Sequence, residues 1–237
     1  MATARTIVNS VLRILGEDEI PDATTTLTDK YQILVLAFVD QIKSEVEDAT
    51  NWRSLRQRRE AQVLANSYAG LMLSSTIRAR LIREHDPLRG VERPLVFDLT
   101  DTDKPSSPRE VDLATQLINE NVTPPDITTT IPSQFAIDSV SAFGNLGIRV
   151  FPKPDNTRLY VVYLTEPQPP LAIDDLDTDI FVPELPVRLG ALWYALEERG
   201  EELGVNGIFT EEKYRKSLDD AISKDDAESG GLNLVPV

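Results

Sequence analysis

Three alternating apolar segments, FAIDSV (residues 135–140), GIRVF (147–151) and LYVVYL (159–164), carry the clearest β-strand pattern of this sequence. Between them lie Gly144-Asn145 and Pro154-Asp155-Asn156, whose residue types favour tight reversals of the chain. The pattern predicts an antiparallel meander in the second half of the chain. Extended structure is also favoured from Trp52 onwards, so we assign residues 52–182 to a β-rich part.

Helical patterns lie on both sides of this β-rich part. Apolar residues recur at helical spacing over residues 4–15, where Thr3 caps the helix and Gly16 ends it. A longer helix is predicted from a cap at Thr28 or Asp29 to residue 48. The sequence therefore predicts an α+β fold, in which N-terminal and C-terminal helices form a bundle beside an antiparallel β-rich part.

Two further helices are predicted after residue 183. The first accepts Pro186 in its first turn, and the second uses Thr210 as its cap, with Phe209 packed onto Tyr214. The buried face of the first is predicted to comprise Leu189, Leu192, Trp193 and Leu196.

The predicted organisation has four parts along the chain. Residues 1–51 hold the N-terminal helices of the bundle, 52–182 the β-rich part, 183–228 the C-terminal helices and 229–237 a flexible docking tail. Within the β-rich part, residues 94–133 form an inserted loop region rich in Pro, Asp, Ser and Thr. One short helix is predicted inside this region, over residues 109–118.

Composition excludes several classes of protein. The 237 residues carry 24 Lys and Arg against 39 Asp and Glu, a formal net charge of −15, which excludes a general DNA-coating protein. The absence of cysteine excludes disulfide scaffolds, thiolate zinc sites and cysteine nucleophiles, and the single histidine, His85, excludes paired-histidine chemistry. No apolar run approaches the roughly 20 residues of a membrane-spanning helix, so no membrane partner is predicted.

Sequence motifs for catalysis or cofactor binding do not occur. The nucleotide-binding patterns GxGxxG and GxxxxGKS/T and the hydrolase pattern GxSxG are all missing. Asp175, Asp177 and Asp179 alternate like the first ligands of a calcium loop, but Ile180 stands where that loop needs glycine. An acidic linker is the better interpretation. We therefore predict no catalytic residue, no cofactor and no metal, and we do not expect an enzyme.

One dense basic cluster is present in this acidic chain, formed by Arg53, Arg56, Arg58 and Arg59. Residues 52–93 as a whole carry nine basic and four acidic side chains, a net charge of +5, whereas the remainder sums to −20. Such a cluster needs carboxylates, either within the chain or on another surface. Both alternatives remain open from the sequence, and we predict the four arginines as partner-binding residues.

The final segment, SGGLNLVPV (residues 229–237), begins with two glycines after a serine and becomes apolar. An apolar segment after glycines suits docking that orders only on assembly. We therefore predict Leu232, Leu234, Val235 and Val237 as a second set of partner-binding residues.

The order of these elements resembles the head-to-tail adaptor (connector) proteins of short-tailed phages, the tail tubular protein A-like family. The resemblance begins with a short helix that ends in Ile14-Leu15-Gly16-Glu17, a turn with Pro and Asp, a long amphipathic helix and Trp52. It continues with Phe151-Pro152-Lys153-Pro154-Asp155, the strand 159–163 closed by Glu166-Pro167, the acidic stretch 171–177 and two closing helices. The similarity covers most of the chain, with residues 93–132 as a longer insertion than the family pattern has.

This resemblance implies a structural virion protein that forms a ring of twelve copies at the head-tail junction, beneath the portal protein and above the tail. The helical bundle is expected to pack subunit to subunit, and the C-terminal segment to reach the portal. The expected partners are the portal protein, a tail nozzle or tail tube protein and further copies of this chain, assembled in the host cytoplasm. Double-stranded DNA is expected to pass through the channel without specific binding, which an acidic lining favours.

A second hypothesis is a virion-associated cell-wall hydrolase that uses a Glu/Asp pair. Glycoside hydrolysis needs two carboxyl groups at a defined separation, and the carboxylates of this sequence are scattered. The sequence therefore favours the adaptor over the hydrolase.

Overall fold

A computed structural model describes residues 2–74, 78–86, 91–100, 106–122, 128–129, 131–139, 146–200 and 205–228. Within these ranges the chain forms both α-helices and β-strands, which confirms the predicted α+β class. The helices are α1 (Ala4–Leu15), α2 (Lys30–Ala49), α3 (Leu113–Val122), α4 (Glu184–Glu198) and α5 (Val205–Glu228). A 3-10 turn, Arg53–Leu55, follows α2.

The strands, in chain order, are β1 (Ala2–Thr3), β2 (Arg56–Val63), β3 (Ala69–Ser74), β4 (Arg80–Leu81), β5 (Arg83–Asp86), β6 (Val91–Pro94), β7 (Val96–Asp98), β8 (Arg109–Glu110), β9 (Thr128–Thr129), β10 (Gln134–Ser139), β11 (Leu146–Phe151), β12 (Lys153–Pro154), β13 (Arg158–Thr165) and β14 (Asp179–Ile180).

Two compact units share these elements. The helical unit takes its residues from both ends of the sequence, Met1–Leu55 and Pro167–Val237, and the β unit is the continuous segment Arg56–Glu166. Each unit has a hydrophobic core of its own. The chain therefore passes between the units twice, at Leu55–Arg56 and at Glu166–Pro167.

Local signals set the two N-terminal helices where they were predicted. The Thr3 side chain accepts a hydrogen bond from the Thr6 amide at the start of α1, and Gly16 adopts the left-handed conformation (φ 73°) at its end. The Asp29 side chain accepts from the Tyr31 and Gln32 amides at the start of α2. The predicted caps are therefore confirmed. They could be predicted because capping depends on neighbours in the sequence and not on tertiary packing.

The second boundary of the predicted β-rich part, at residue 182, is wrong. Leu176, Ile180 and Val182 are buried in the core of the helical unit, so the β unit ends at Glu166. β14 pairs with β1, and the fully buried Lys43 ammonium donates to the Pro169 carbonyl at 2.7 Å. Polar and backbone contacts, which hydrophobic periodicity does not reveal, hold this connector against α1 and α2.

The β unit is built on one large sheet with the strand order β4-β13-β2-β3-β11-β10-β8, in which β7 also pairs with β13. Its neighbouring strands run antiparallel except for β8, which is parallel to β10. The core of the unit lies on the apolar residues of β2, β10, β11 and β13. The β unit also contains two smaller ladders, formed by β5 with β6 and by β9 with β12.

The three strands of the opening motif form, but they do not make the predicted meander. β10 and β11 pair antiparallel from Gln134–Phe151 to Ser139–Leu146, as expected. β13 instead pairs along its full length with β2, which comes about 100 residues earlier in the chain, and β3 is the other neighbour of β11. β13 is buried along most of its length, so it requires neighbours on both edges, which β2 and β7 provide.

The predicted helix over residues 109–118 is shifted in the structure. Arg109 and Glu110 belong to β8, and the helix begins at Leu113. The Asp112 carboxylate accepts a 2.8 Å hydrogen bond from the Thr115 amide, an N-terminal capping contact. The insertion 94–133, predicted as loops around a helix, also contains β7, β8 and β9.

The two C-terminal helices form, with corrections to both. α5 begins at Val205, so Thr210 is an internal residue on its buried side and Phe209 is 54% exposed. α4 buries Val187, Gly190, Ala191 and Ala195 together with Leu192 and Leu196, whereas Leu189 and Trp193 are only half-buried. The small residues let α4 approach α2 closely. A prediction that depends on the spacing of large apolar residues does not detect this close approach.

Candidate interaction surfaces

The four predicted arginines are divided between the two units. Arg53 lies in the helical unit, where its guanidinium contacts Asp225 at 3.4 Å and also pairs with the Glu228 carboxylate. Its backbone amide donates to Asp225 as well, at 3.3 Å. Arg53 thus ties the segment after α2 to the last turns of α5.

The other three arginines lie on β2. Arg58 pairs with Glu60 at 3.0 Å on one side of the strand, and Arg59, on the opposite side, pairs with Glu166. Arg56 is half-buried at the start of the strand, opposite Thr165 of β13. The structure thus gives carboxylates within the chain to Arg53, Arg58 and Arg59, and the partner-binding role of all four arginines stays a prediction.

Helix α3 in the β unit presents its apolar side chains outward. Leu117, Ile118 and Val122 are 40%, 61% and 79% exposed, whereas the polar Gln116 is fully buried. Glu120, on the inner side, forms an ion pair with Arg149 of β11 at 2.7 Å. Exposed apolar residues grouped on one helix make this face a candidate contact surface. The sequence pattern predicted a short helix here, but it did not indicate whether the apolar residues of that helix are buried or exposed.

A groove between α4 and α5 forms a second candidate surface, in the helical unit. Its apolar wall contains Pro183, Leu185, Pro186 and Leu189, and its α5 wall carries Lys213, Lys216 and Lys224 together with Asp220. The volume of about 520 Å³ holds more than one side chain. We call this feature the lysine groove.

The lysines of this groove are available for contacts. All three are exposed, and the Lys213 ammonium lies 4.0 Å from the ring centroid of Phe209. Within the part of the chain that the structure describes, no carboxylate lies at ion-pair distance from any of the three. Their spacing of three and eight residues is visible in the sequence, but only the packing of α5 on α4 shows that they border an apolar surface.

A loop of the opposite character lies elsewhere on the helical unit. Ile173 is 44% exposed, and Asp174 and Asp175 beside it are exposed and lie beyond ion-pair distance of any cation among the described residues. We call residues 173–175 the acidic knob. The sequence interpretation of this stretch as an acidic linker agrees with the exposure of its carboxylates. It did not identify Ile173 as an exposed apolar residue.

The neighbouring Asp177 has a structural partner. Arg5 of α1 donates to its carboxylate at 2.9 Å and to the Pro21 and Thr24 carbonyls at 2.7 and 2.8 Å. The hydrogen bond from Arg5 lowers the pKa of Asp177. Among the described residues no cluster of three or more His, Asp or Glu side chains is arranged to hold a metal ion.

The C-terminal tail and the single histidine are the two remaining features of the sequence. Residues 229–237, with Leu232, Leu234, Val235 and Val237, lie outside the described residues. His85 stands on β5, opposite Glu92 of β6. In the described part of the chain, no helix has the length and apolar character to span a membrane.

Comparison of the sequence with protein-family models finds no matching family, and comparison with curated proteins finds no significant relative. The functional conclusion therefore depends on the surfaces described above and on the resemblance in element order.

Proposed function

We propose that this protein is a structural head-to-tail adaptor of a virion, which forms a ring beneath the portal protein, joins the capsid to the tail and lines the channel for DNA packaging and ejection. Its proposed location is the head-tail junction, after assembly in the host cytoplasm. Its proposed partners are the portal protein, a tail nozzle or tail tube protein and other copies of itself.

The observation that carries this proposal is that each unit exposes apolar side chains on a well-formed helix. The β unit offers Ile118 and Val122 on α3, and the helical unit offers Leu185 on α4 and Phe209 on α5. Burial of a large apolar side chain contributes ~1.5 to 3 kcal/mol before ordering costs, so two such surfaces suit a protein held between different neighbours.

The charge distribution supports the same proposal. A formal charge of −15 per copy opposes close binding of the DNA duplex, so DNA would slide through a ring of such copies. The same charge opposes spontaneous association of the copies in free solution, most strongly at low ionic strength, where it is least screened. We therefore expect a monomer or small oligomer alone, and a closed ring when the portal protein provides the template.

Co-sedimentation with the portal protein and with the tail protein of the same virus tests the proposal. We expect the parent chain to sediment with both, and the double variant Ile118→Ser/Val122→Ser to lose one of them, because α3 then lacks its apolar contact. Leu64→Ser, which changes a 60% exposed side chain of the β unit outside α3, is the matched control and should bind both.

Two results would contradict the proposal. One is the failure of the folded parent chain to bind either partner. The other is turnover of purified peptidoglycan by the isolated chain, which would favour the hydrolase.

A further inference from the structure

We infer that the lysine groove of one copy receives the acidic knob of a second copy. This inference rests on the proposed function, because it identifies a contact through which neighbouring copies would join within the ring. The occupant is a second copy of this chain and not a different protein, since the helical unit itself carries both halves of the contact.

The lysine groove matches a segment that is both apolar and acidic. Its wall of Leu185 and Leu189 excludes water from an inserted apolar side chain, while Lys213, Lys216 and Lys224 border it with ammonium groups. Among the described residues that line the groove, Asp220 is the one carboxylate, so the three lysines dominate the charge. In a chain with 39 acidic residues, three lysines that have no carboxylate partner within the described ranges, beside exposed apolar surface, are an unusual local reversal of charge.

The acidic knob has the complementary composition. Ile173 supplies one exposed apolar side chain, and Asp174 and Asp175 supply two carboxylates next to it. An isoleucine in the groove would bury apolar area, and the two carboxylates would then lie near the ammonium groups at the rim. The volume of the groove, about 520 Å³, exceeds that of one isoleucine side chain.

The acidic knob is held in place, so its side chains are presented at little cost in entropy. The Ile173 carbonyl accepts a 3.0 Å hydrogen bond from the Leu27 amide, and the Asp175 amide donates to Ala172 at 3.2 Å. On one side the Leu171 amide donates to the Asp40 carboxylate at 2.9 Å, and on the other Leu176 is buried in the core.

The contact joins two different surfaces, because no knob residue lines the lysine groove. A contact between different surfaces leaves one groove and one knob free at the ends of any pair, so it repeats from copy to copy. Such a contact gives a closed ring where the rotation between copies returns to the first copy and an open filament where it does not, whereas a contact of one surface with itself stops at a dimer. An adaptor ring requires a contact between different surfaces.

The strength of the contact should depend on ionic strength. At physiological salt the Debye length is about 8 Å. The repulsion between distant charges of two copies is therefore largely screened, whereas the attraction between groups in contact is screened less. Exposed ion pairs are individually weak, so reversal of one charge should have a small effect and reversal of the whole set a large one.

Single-cysteine cross-linking tests the contact, and the cysteine-free chain suits it because every disulfide must then join two copies. We propose to mix an affinity-tagged Ile173→Cys chain with an untagged Leu185→Cys chain at physiological salt under mild oxidation. The matched control replaces Leu185→Cys with Ile14→Cys, which is 59% exposed on the same unit but outside the groove. We expect a several-fold higher yield of mixed disulfide with Leu185→Cys.

Charge reversal sharpens the same experiment. Lys213→Glu/Lys216→Glu/Lys224→Glu in the groove chain should reduce the yield to that of the control, and so should Asp174→Lys/Asp175→Lys in the knob chain. The two reversed chains mixed together should recover the parent yield. All five positions are exposed, so circular dichroism should show unchanged helix content in every variant.

The outcomes separate this inference from the proposed function. Equal yields with Leu185→Cys and Ile14→Cys, or reversed charges without effect, overturn the contact. If Ile173→Cys and Leu185→Cys chains with their parent charges give no cross-link above the control while the charge-reversed groove chain loses portal binding, the groove belongs to the portal and the inference is wrong. Cross-links and charge rescue in a chain that binds no portal support the contact but contradict the adaptor.

Discussion

The helical unit brings together residues from both ends of the chain, whereas the β unit is one continuous segment; yet sequence patterns predict the first better than the second. α1 and α2 depend on caps and apolar spacing within about four residues. β13 depends on β2, which lies about 100 residues away and has four consecutive polar or charged exposed residues, from Gln57 to Glu60. Local signals therefore determine where elements form, and burial determines which strands become neighbours.

The largest expected effect comes from removing one large buried aromatic side chain from one unit at a time. Trp52→Ala deletes a 1% exposed ring whose indole N–H donates to the Val46 carbonyl at 2.6 Å, and it should destabilise the helical unit by about 3 to 5 kcal/mol. Hydrogen exchange by mass spectrometry should show lost protection in α1, α2 and α4. Protection in β2 and β13 should change less.

Phe135→Ala is the matched variant in the β unit, because Phe135 is fully buried in the other core. Protection should then be lost in β10 and β11 and retained in α1 and α2. If either variant removes protection equally from both units, the two cores are not separate cooperative units.

A smaller effect is expected from Gly190→Ala in α4. A Cβ atom at Gly190 would lie 2.7 Å from Ile42 Cγ2, an atom of a branched side chain that cannot move aside, so α2 and α4 must separate. We expect a loss of about 1 to 3 kcal/mol, measured by denaturant unfolding.

Two variants distinguish this close contact from backbone effects. Gly200→Ala introduces a Cβ atom where nothing lies within 4 Å, so its cost comes only from the positive φ of 74°. Ile42→Ala removes the obstructing atoms, so the double variant with Gly190→Ala should lose less than the sum of the single losses. Strict additivity would contradict the packing explanation.

The smallest expected effect concerns pH. Arg5 lowers the pKa of Asp177 and Arg13 lowers that of Glu19, in each case mainly through a side-chain hydrogen bond. Because both pKa values are depressed in the folded state, their stabilisation is complete above the unfolded pKa values near 4 and is lost as pH falls through the folded ones. Asp177→Asn should therefore reduce the acid dependence of unfolding, measured by denaturant titration between neutral and acid pH.

Asp174→Asn is the matched control on the same loop, since its carboxylate has no cation at ion-pair distance among the described residues. It should leave the acid dependence close to that of the parent. An equal change in both variants would assign the effect to net charge and not to the Arg5 pair.

The candidate surfaces were less predictable than the fold. The apolar stripe of α3 is present in the sequence, but periodicity does not indicate whether a stripe faces the core or the exterior, and here Gln116 is buried while Ile118 is exposed. The arginine cluster predicted a need for carboxylates, and the structure places Glu60, Glu166 and Glu228 in that role. The lysine groove could not be predicted, because Leu185 and Lys224 become neighbours only through the packing of α4 on α5.

The mass of the proposed complex between this protein and a portal protein, measured by native mass spectrometry beside each protein alone, tests the central claim most directly. We predict that the portal alone keeps its own mass, that this chain alone is a monomer or small oligomer, and that the mixture gains a complete ring of twelve copies. A mixture in which the portal mass is unchanged, or a stable twelve-membered ring of this chain without the portal, would contradict the account.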